Sequence, residues 1–341
     1  MASVRLLLAC GASVILSAEV SAVPLLPGDI LAMGTGSAGT GIVRVDPDTG
    51  AQALVAAGDF GDFAIGTAFV YAILGDFVVR IEPLTGLQTT VTSGGLLVAP
   101  AGISLGPAGE IFVLETEGLG GQPGIVRVDP LTGAQTPHSV GGLIDSVTLW
   151  DLEADPSGDV IVLEDPFGSG EAAELIRVDA TSGLQTEIPL VGGLPTFAYA
   201  LGVATNGDIY ISDSGFSGTI VWHLDHETGE LTRVGFVTID LGPDGEADPL
   251  VADIALDESG RVLVAPDFVS NGSNTGERVP NGIFEIPFGE GPNRVPLSEG
   301  TFGELQIVRS PFVIPEPATA ALLLLGLAGI AGFRKRCAFG R

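Results

Sequence analysis

Carboxylates are the side chains of this sequence best suited to chemistry, because several follow directly on apolar runs typical of buried β-strands. Glu115, Glu164 with Asp165, Asp213 and Asp267 stand in this position. If such strands converge, their carboxylates can ring one mouth of a channel and bind a hard cation, which takes about 6 to 8 oxygen ligands and polarises a bound carbonyl group. The alternative is that each carboxylate accepts backbone N–H groups in its own turn.

A second acidic segment, Asp240 to Asp248, partly matches a calcium-binding loop. Acids fill its first, fifth and ninth positions and Gly245 fills the sixth, but the third position has no acid and Val251 replaces the final glutamate. An exposed acidic connector is the other interpretation. Calcium is therefore a candidate cofactor, and the candidate metal ligands of the whole chain are Asp240, Asp244, Asp248, Asp213 and Glu115.

The sequence has few of the residue patterns that nucleotide binding, covalent catalysis or thiolate metal binding require. The string Gly34 to Gly39 matches the GxGxxG dinucleotide pattern, but Ile42 to Val45 predicts a strand where that site requires a helix. Lys335 is the only lysine, and the two cysteines, Cys10 and Cys337, lie near the chain ends, so the body offers no lysine nucleophile and no thiolate metal site. Since the histidines form no catalytic pattern either, no catalytic residue is identified and a non-enzymatic role is favoured.

Charge and composition narrow the class of protein. A formal net charge of −28 excludes nucleic acid as a partner, because it removes the electrostatic attraction that drives such binding. With 50 Gly, 23 Pro and only 2 Met, the chain has the composition of a β protein rich in tight turns.

The elements that must position any site come from an internal repeat. Each copy alternates apolar and polar residues and enters an Asp-Pro-x-Thr-Gly type of turn, as a half-buried strand does. Its arginine position recurs as Arg44, Arg80, Arg127 and Arg177, and ion pairs with acids of the same unit explain these residues better than a binding site does. The copies are Val43 to Gln52, Val79 to Gln88, Val126 to Gln135, Ile176 to Gln185, Trp222 to Gly229 and Phe284 to Pro287.

A second hairpin precedes most copies, the clearest pairing Gly102 to Leu105 with Gly109 to Leu114. Four short strands in each of about six units indicate an all-β fold, a β-propeller of six four-stranded blades, with seven blades or a sandwich as alternatives. We expect this domain over residues 23–312, with Glu304 to Arg309 completing the first blade, which begins on its second strand. The apolar runs Ile111 to Leu114 and Val160 to Leu163 are predicted to be inner strands.

Strands of the Gly-x-Ile-Tyr type, such as Gly207 to Ile211, give the units a resemblance to the NHL-repeat and gluconolactonase-like propellers. This group contains both enzymes and passive scaffolds, so the resemblance implies a fold and no single activity. Its enzymes hold a metal with carboxylates at the channel mouth, but their Asn and Glu ligand pattern is not recognisable here.

The chain begins with the features of a secretory signal peptide. Arg5 precedes the apolar run Leu6 to Leu16, and Val20 to Ala22 supplies the small residues of a cleavage site. We therefore predict that residues 1–22 are removed by signal peptidase after export.

The chain ends in three elements in a fixed order: Pro315, Glu316 and Pro317, the uncharged run Ala318 to Phe333, and the basic cluster Arg334, Lys335 and Arg336. The run predicts one short transmembrane helix and the basic cluster places its end in the cytoplasm, with the body across the membrane. This order resembles the PEP-CTERM sorting signal of Gram-negative bacteria. The resemblance implies that residues 313–341 anchor the protein in the inner membrane until an exosortase removes the helix and passes the protein to the outer envelope or extracellular matrix.

Together these patterns favour an exported binding or scaffold module that presents a propeller face to polysaccharide or protein partners. The insertion Pro266 to Asn281 is the first place to expect such contacts. The alternative is a metal-dependent, lactonase-like hydrolase with carboxylates at the channel mouth.

Overall fold

A computed structural model describes residues 24–106, 108–145, 149–164, 173–191, 198–215, 218–237, 239–240, 246–257, 260–270, 282–286, 297–307 and 309. The predicted signal peptide and sorting tail lie outside these ranges. No helix within them is long and apolar enough to cross a bilayer.

The regular structure of the described ranges consists of short antiparallel strands, as the alternating repeat predicts. In chain order they are β1 (Ile30–Gly36), β2 (Gly39–Val45), β3 (Gln52–Ala57), β4 (Asp62–Ile65), β5 (Val70–Leu74), β6 (Phe77–Glu82), β7 (Leu87–Ser93), β8 (Pro100–Leu105), β9 (Ile111–Glu115), β10 (Gly124–Val128), β11 (Gln135–Val140), β12 (Leu149–Ala154), β13 (Val160–Glu164), β14 (Glu174–Val178), β15 (Gln185–Glu187), β16 (Ala198–Val203), β17 (Ile209–Gly215), β18 (Gly218–Leu224), β19 (Leu231–Val237), β20 (Ile239–Asp240), β21 (Glu246–Leu256), β22 (Val262–Ser270), β23 (Gly282–Ile286) and β24 (Ser298–Ile307).

These strands form a β-propeller, which confirms the predicted fold class but not the predicted number of blades. Four sheets have four strands each, in the orders β4 to β7, β8 to β11, β12 to β15 and β16 to β19. The fifth sheet has eight strands in the order β20-β21-β22-β23-β24-β1-β2-β3. The expectation of six separate blades is therefore wrong, and the strands of the described ranges form five. The reason is that β23 pairs with the start of β24, which joins two repeat units into one sheet.

The first and last of the described strands close the ring as predicted. Strand β24 pairs with β1 from Ile307 opposite Ile30 to Gly300 opposite Gly36, so the last strand completes the sheet on which the chain begins. Pairing across the two ends removes a sheet edge that would otherwise be open to other chains.

Neighbouring sheets pack face to face around the ring, and the core lies between them. One cluster joins Ile73 and Val78 of one sheet to Ile111 and Val126 of the next. Strands β9 and β13 are buried along their whole length, as their apolar runs predict. They are second in their sheets and not innermost, since β8 and β12 lie inside them.

The repeated turn has a structural purpose, which is to dock one sheet on the sheet before it. In the third copy Asp129 accepts the backbone N–H groups of Leu131 and Thr132, and Gly133 has a φ of 70°. Gln135 then donates to the carbonyl of Gly94 at 2.9 Å, across the boundary between sheets. Gln185 donates to the carbonyl of Gly141 in the same way. Because this clasp recurs, the regular spacing of the repeat reflects assembly rather than ligand binding.

The repeated arginines form ion pairs, as predicted, at three of their four positions. Arg44 pairs with Asp29, Arg127 with Glu110, and Arg177 with Asp155 and Asp159. At the fourth position Arg80 instead lies over the ring of Phe69, 4.5 Å from its centroid.

Candidate functional site

The innermost strands surround the centre of the molecule, and neighbours among them do not pair into one continuous sheet. They are β4, β8, β12, β16, β21 and β24. Their free backbone N–H groups therefore need other acceptors. Asp62, Asp151 and Asp253 supply these acceptors at every second junction. Each accepts the N–H of its own following residue through one oxygen and an N–H of the next inner strand through the other.

The distances at these junctions are short. The carboxylate of Asp62 lies 2.6 Å from the nitrogen of Ile103, and that of Asp151 lies 2.7 Å from the nitrogen of Leu201. Asp253 accepts the N–H of Leu305 in the same way. Asp62 and Asp253 are almost inaccessible to solvent, with 7% and 3% of their surfaces exposed.

The three remaining junctions use uncharged residues, two of them with side-chain hydrogen bonds. The Ser104 hydroxyl accepts the N–H of Ala154 at 2.9 Å. Gln306 accepts the N–H of Ile65 and donates to a neighbouring carbonyl. At the sixth junction β16 approaches β21 so closely that a Cβ on Gly202 would lie 2.9 Å from a carbonyl oxygen.

A cavity of about 400 Å³ opens where these six strands end. Its wall is built from the last residues of every inner strand, including Ile65, Ala154, Val203 and Ile307. Cavities of this volume enclose small-molecule ligands in many proteins. The axial cavity, as we call it, is the candidate functional site because all six strands contribute to it.

Glu153 is the acid of the axial cavity. Burial and, to a lesser extent, the charge of Asp151 raise its pKa, Arg309 and the hydroxyl of Ser104 oppose the rise, and the result is a pKa of about 7. Burial likewise raises the pKa of Asp151 to about 6. A carboxyl group with such a pKa exchanges its proton near neutrality, so Glu153 can act as a proton donor or as an anion there.

The acids of the ring reinforce this effect. Burial raises the pKa of Asp62 and of Asp253 well above the ordinary value, and the charges of Asp151 and Glu153 raise both further. The four carboxyl groups lie close enough that the negative charge of one disfavours ionisation of the others. A positive charge placed there would relieve their mutual repulsion.

Arg309 is the cation of the axial cavity. It follows the last inner strand and donates from Nη2 to the carbonyl of Val203, at 2.9 Å, across the ring. The guanidinium group has five N–H donors, so this contact leaves others to face the cavity.

Three of the acids that the sequence suggested lie at the opposite end of the inner strands from the axial cavity. Glu115, Glu164 and Asp213 pair with the first residues of inner strands, whereas the axial cavity lies at their last residues. Glu115 accepts four backbone N–H groups, those of Val98, Ala99, Glu117 and Gly118. This is the turn-capping role named as the alternative for these acids.

Asp213 is half-buried, and burial raises its pKa, while a weak contact of 3.5 Å from the indole of Trp222 opposes the rise. Asp240 and Asp248 lie on the adjacent strands β20 and β21, and Asp244 lies outside the described residues, as Asp165 does. The calcium loop therefore stays a prediction. Among the described residues, no three acid, histidine or cysteine side chains are arranged to hold a metal ion.

Two further sequence candidates have structural roles in the described ranges. The glycine string from Gly34 to Gly39 forms the β1–β2 hairpin and is followed by a strand. His223, which replaces the repeated arginine, contacts Asp208 at 2.9 Å, and His226 contacts the other oxygen of the same carboxylate at 2.9 Å. Residues 271–281 of the predicted insertion lie outside the described ranges, and β22 occupies its beginning.

The residues of the axial ring and cavity were not predicted from the sequence. One signal for the ring is present in the sequence: an Asp followed directly by a large apolar residue opens the segments at Asp62, Asp151 and Asp253, which is every second unit. Glu153 and Arg309 have no such repeat, because a single site on a pseudosymmetric ring needs each of them only once.

Comparison with known proteins identifies the tail. Residues 313–336 match the model of the PEP-CTERM protein-sorting motif. The tail therefore marks an exported protein that is anchored in the membrane as a sorting substrate and processed by exosortase. A search of curated protein sequences gave no significant match.

Solved structures show the same fold for the body. TolB from Acinetobacter baumannii superposes with a TM-score of 0.55 and 15% identity over 82% of this chain, which spans only 65% of TolB. The gluconolactonase XC5397 from Xanthomonas campestris gives a TM-score of 0.51 and 13% identity over 83% of this chain and 90% of its own. A chain of a nidogen/laminin complex superposes with a TM-score of 0.55 and 13% identity, over 83% of this chain and 99% of its own. At these identities the likeness is one of fold.

Proposed function

We propose that this protein is an exported binding module, sorted to the outer envelope or extracellular matrix through its tail, and that its axial cavity binds a small polar ligand. The observation that carries the proposal is the cavity of about 400 Å³ at which all six inner strands end, with Glu153 and Arg309 in its wall. The predicted signal peptide on residues 1–22 and the basic cluster after the apolar run agree on the same topology.

Binding in the cavity is tested by thermal unfolding in the presence of a panel of small metabolites. Ala108 lies exposed on the rim of the cavity, so Ala108→Trp blocks the opening without replacing a core residue. Ligands of the cavity should raise the unfolding temperature of the native protein and not that of the variant. If no compound distinguishes the two proteins, the axial cavity is not a binding site.

The sorting part of the proposal has a separate test in a Gram-negative host that contains an exosortase. Glu316→Ala alters the centre of the Pro-Glu-Pro motif, and we expect the uncut precursor to accumulate in the inner membrane. The readout is the mass of the protein and its distribution between membrane and extracellular fractions. Unchanged processing would show that the motif is not the recognition element.

Polysaccharides and envelope proteins are the further partners that we infer for the sorted protein, since its acidic surface and its destination suit neither nucleic acid nor a cytoplasmic role.

The second candidate is a metal-dependent lactonase with carboxylates at the mouth opposite the axial cavity. The half-buried Asp213, whose pKa burial raises, is the acid there that favours it. Lactone turnover that needs a divalent cation and is lost in Asp213→Ala would establish this activity. If no lactone is turned over with or without calcium, the lactonase hypothesis is wrong and the binding module remains the proposed function.

A further inference from the structure

Two opposite charges share the wall of the axial cavity without forming a direct pair. Glu153 and Arg309 both line it, and the ion pairs between described residues do not include one between them. The charge of Arg309 lowers the pKa of Glu153, and both side chains line the same cavity of about 400 Å³. A molecule in this cavity can therefore contact an acid and a cation together.

Of the other polar side chains of the wall, Thr67 is exposed, and Ser104 and Gln306 are bonded to the backbone. Ser104 accepts an N–H from the neighbouring strand, and both ends of the Gln306 amide are bonded to the backbone of β4. Most of what remains is apolar, from side chains such as Ile65 and Val203. Glu153 and Arg309 are thus the charged groups of the wall that can select a ligand.

We propose that the axial cavity binds a small amphoteric molecule, an ammonium group facing Glu153, a carboxylate facing Arg309, and an apolar body against the wall. This inference rests on the proposed function. A ligand with one charge would leave the opposite wall charge partly desolvated and unpaired, whereas a ligand with both charges pairs each of them.

The surrounding ring fixes which end of the ligand goes where. Asp62, Asp151 and Asp253 lie in the same ring of inner strands as Glu153, and their charges interact with one another. The ammonium end therefore belongs at Glu153, next to these acids. The carboxylate end belongs at Arg309, which is exposed at the rim of the cavity.

The test is calorimetric titration of the purified protein with three probes of similar shape: leucine, which has both charges, isoamylamine, which has only the ammonium group, and isocaproate, which has only the carboxylate. We expect leucine to bind at least about tenfold more tightly than either analogue, since one well-placed charge contact contributes about 1.4 kcal/mol or more.

Variants assign the two contacts. Glu153→Gln should weaken leucine and isoamylamine but not isocaproate, and Arg309→Gln should weaken leucine and isocaproate but not isoamylamine. Glu227→Gln, at an exposed turn, is the control and should change nothing. Circular dichroism and the unfolding temperature show whether each variant is folded.

The outcomes separate this inference from the proposed function. Equal binding of the three probes would show that the ligand is not amphoteric. The same holds if no probe binds while neutral saccharides bind the native protein and not Ala108→Trp. In both cases the cavity remains a binding site. If no compound responds to Ala108→Trp, both proposals fail together.

Discussion

Raising the pH from about 5 to about 8 should destabilise this protein through the carboxyl groups of its axial ring. Burial raises the pKa of Asp151 to about 6 and that of Glu153 to about 7, so the folded state binds protons that the unfolded chain has released. A raised carboxyl pKa contributes stability that is complete below the unfolded value and is lost as the pH passes the folded value. The loss therefore falls between about pH 4.5 and pH 7.5.

The magnitude follows from the two pKa changes. From ordinary values of 3.8 and 4.5 to about 6 and about 7, each rises by more than two pH units. One unit corresponds to about 1.4 kcal/mol, which gives roughly 3 kcal/mol for each group before screening. Both side chains are only partly buried, so solvent screens them, and we expect a combined loss of roughly 3 kcal/mol. Asp62 and Asp253, whose pKa values burial raises well above normal, act in the same direction.

The free energy of unfolding in urea, followed by tryptophan fluorescence at constant ionic strength, measures this loss. Glu153→Gln keeps the shape of the side chain without its charge, so the variant should match the native protein near pH 5 and exceed it by about 2 kcal/mol near pH 8. Glu227→Gln, on an exposed turn, should run parallel to the native protein. A native protein that is equally or more stable near pH 8, together with no effect of Glu153→Gln, would refute the reasoning.

Three further predictions test how the strands and sheets are held together. Gly133 and Gly75 both have a positive φ, but a Cβ on Gly133 would lie 2.1 Å from a carbonyl oxygen of the preceding sheet whereas one on Gly75 meets nothing within 4 Å. Alanine should therefore cost about 1 kcal/mol at Gly75 and at least about 3 kcal/mol at Gly133 in urea unfolding, and equal costs would contradict the docking role. Gln135→Leu removes three hydrogen bonds, one accepted from a backbone N–H and two donated across a sheet boundary, whereas Gln88→Leu removes one. Gln135→Leu should therefore lower the free energy of unfolding by about 2 kcal/mol more than Gln88→Leu does. Arg44→Lys replaces a two-point ion pair with a single contact and should cost about 1 kcal/mol in calorimetric unfolding, and no change would show that the pair contributes little.

The repeat in the sequence predicts most of the fold because its physical causes are local. Alternation of apolar and polar residues, the turn at Asp129 and the glycine at position 133 each specify a strand or a turn from neighbouring residues. The ring closure by β24 also follows, since the chain begins on the second strand of a unit. The number of blades did not follow, because it depends on whether β23 and β24 pair across a unit boundary.

The axial site could not be predicted from neighbouring residues, because its contacts join distant parts of the chain. Asp62 and Asp151 accept N–H groups of Ile103 and Leu201, which lie 41 and 50 residues further along the chain. A carboxylate that ends an apolar run, such as Glu115, is conspicuous in the sequence, yet its partners are four N–H groups of its own loops. A carboxylate that begins a short inner strand is inconspicuous, and its environment exists only after the ring has closed.

The place where the chain leaves the propeller connects the axial cavity with the sorting tail. Arg309 lines the cavity, and Pro315, the first residue of the Pro-Glu-Pro motif, is six residues further on. Six residues reach at most about 20 Å, and the nine to Ala318, where the predicted span begins, reach about 30 Å. On the predicted topology, an intact tail would keep the mouth of the cavity within about 30 Å of the membrane, and the ends of the inner strands near Glu115 and Asp213 would lie farther from the attachment point. Removal of the predicted span by exosortase would lift this constraint. The proposed ligand of the axial cavity would therefore have a freer approach after the tail has been cut than before.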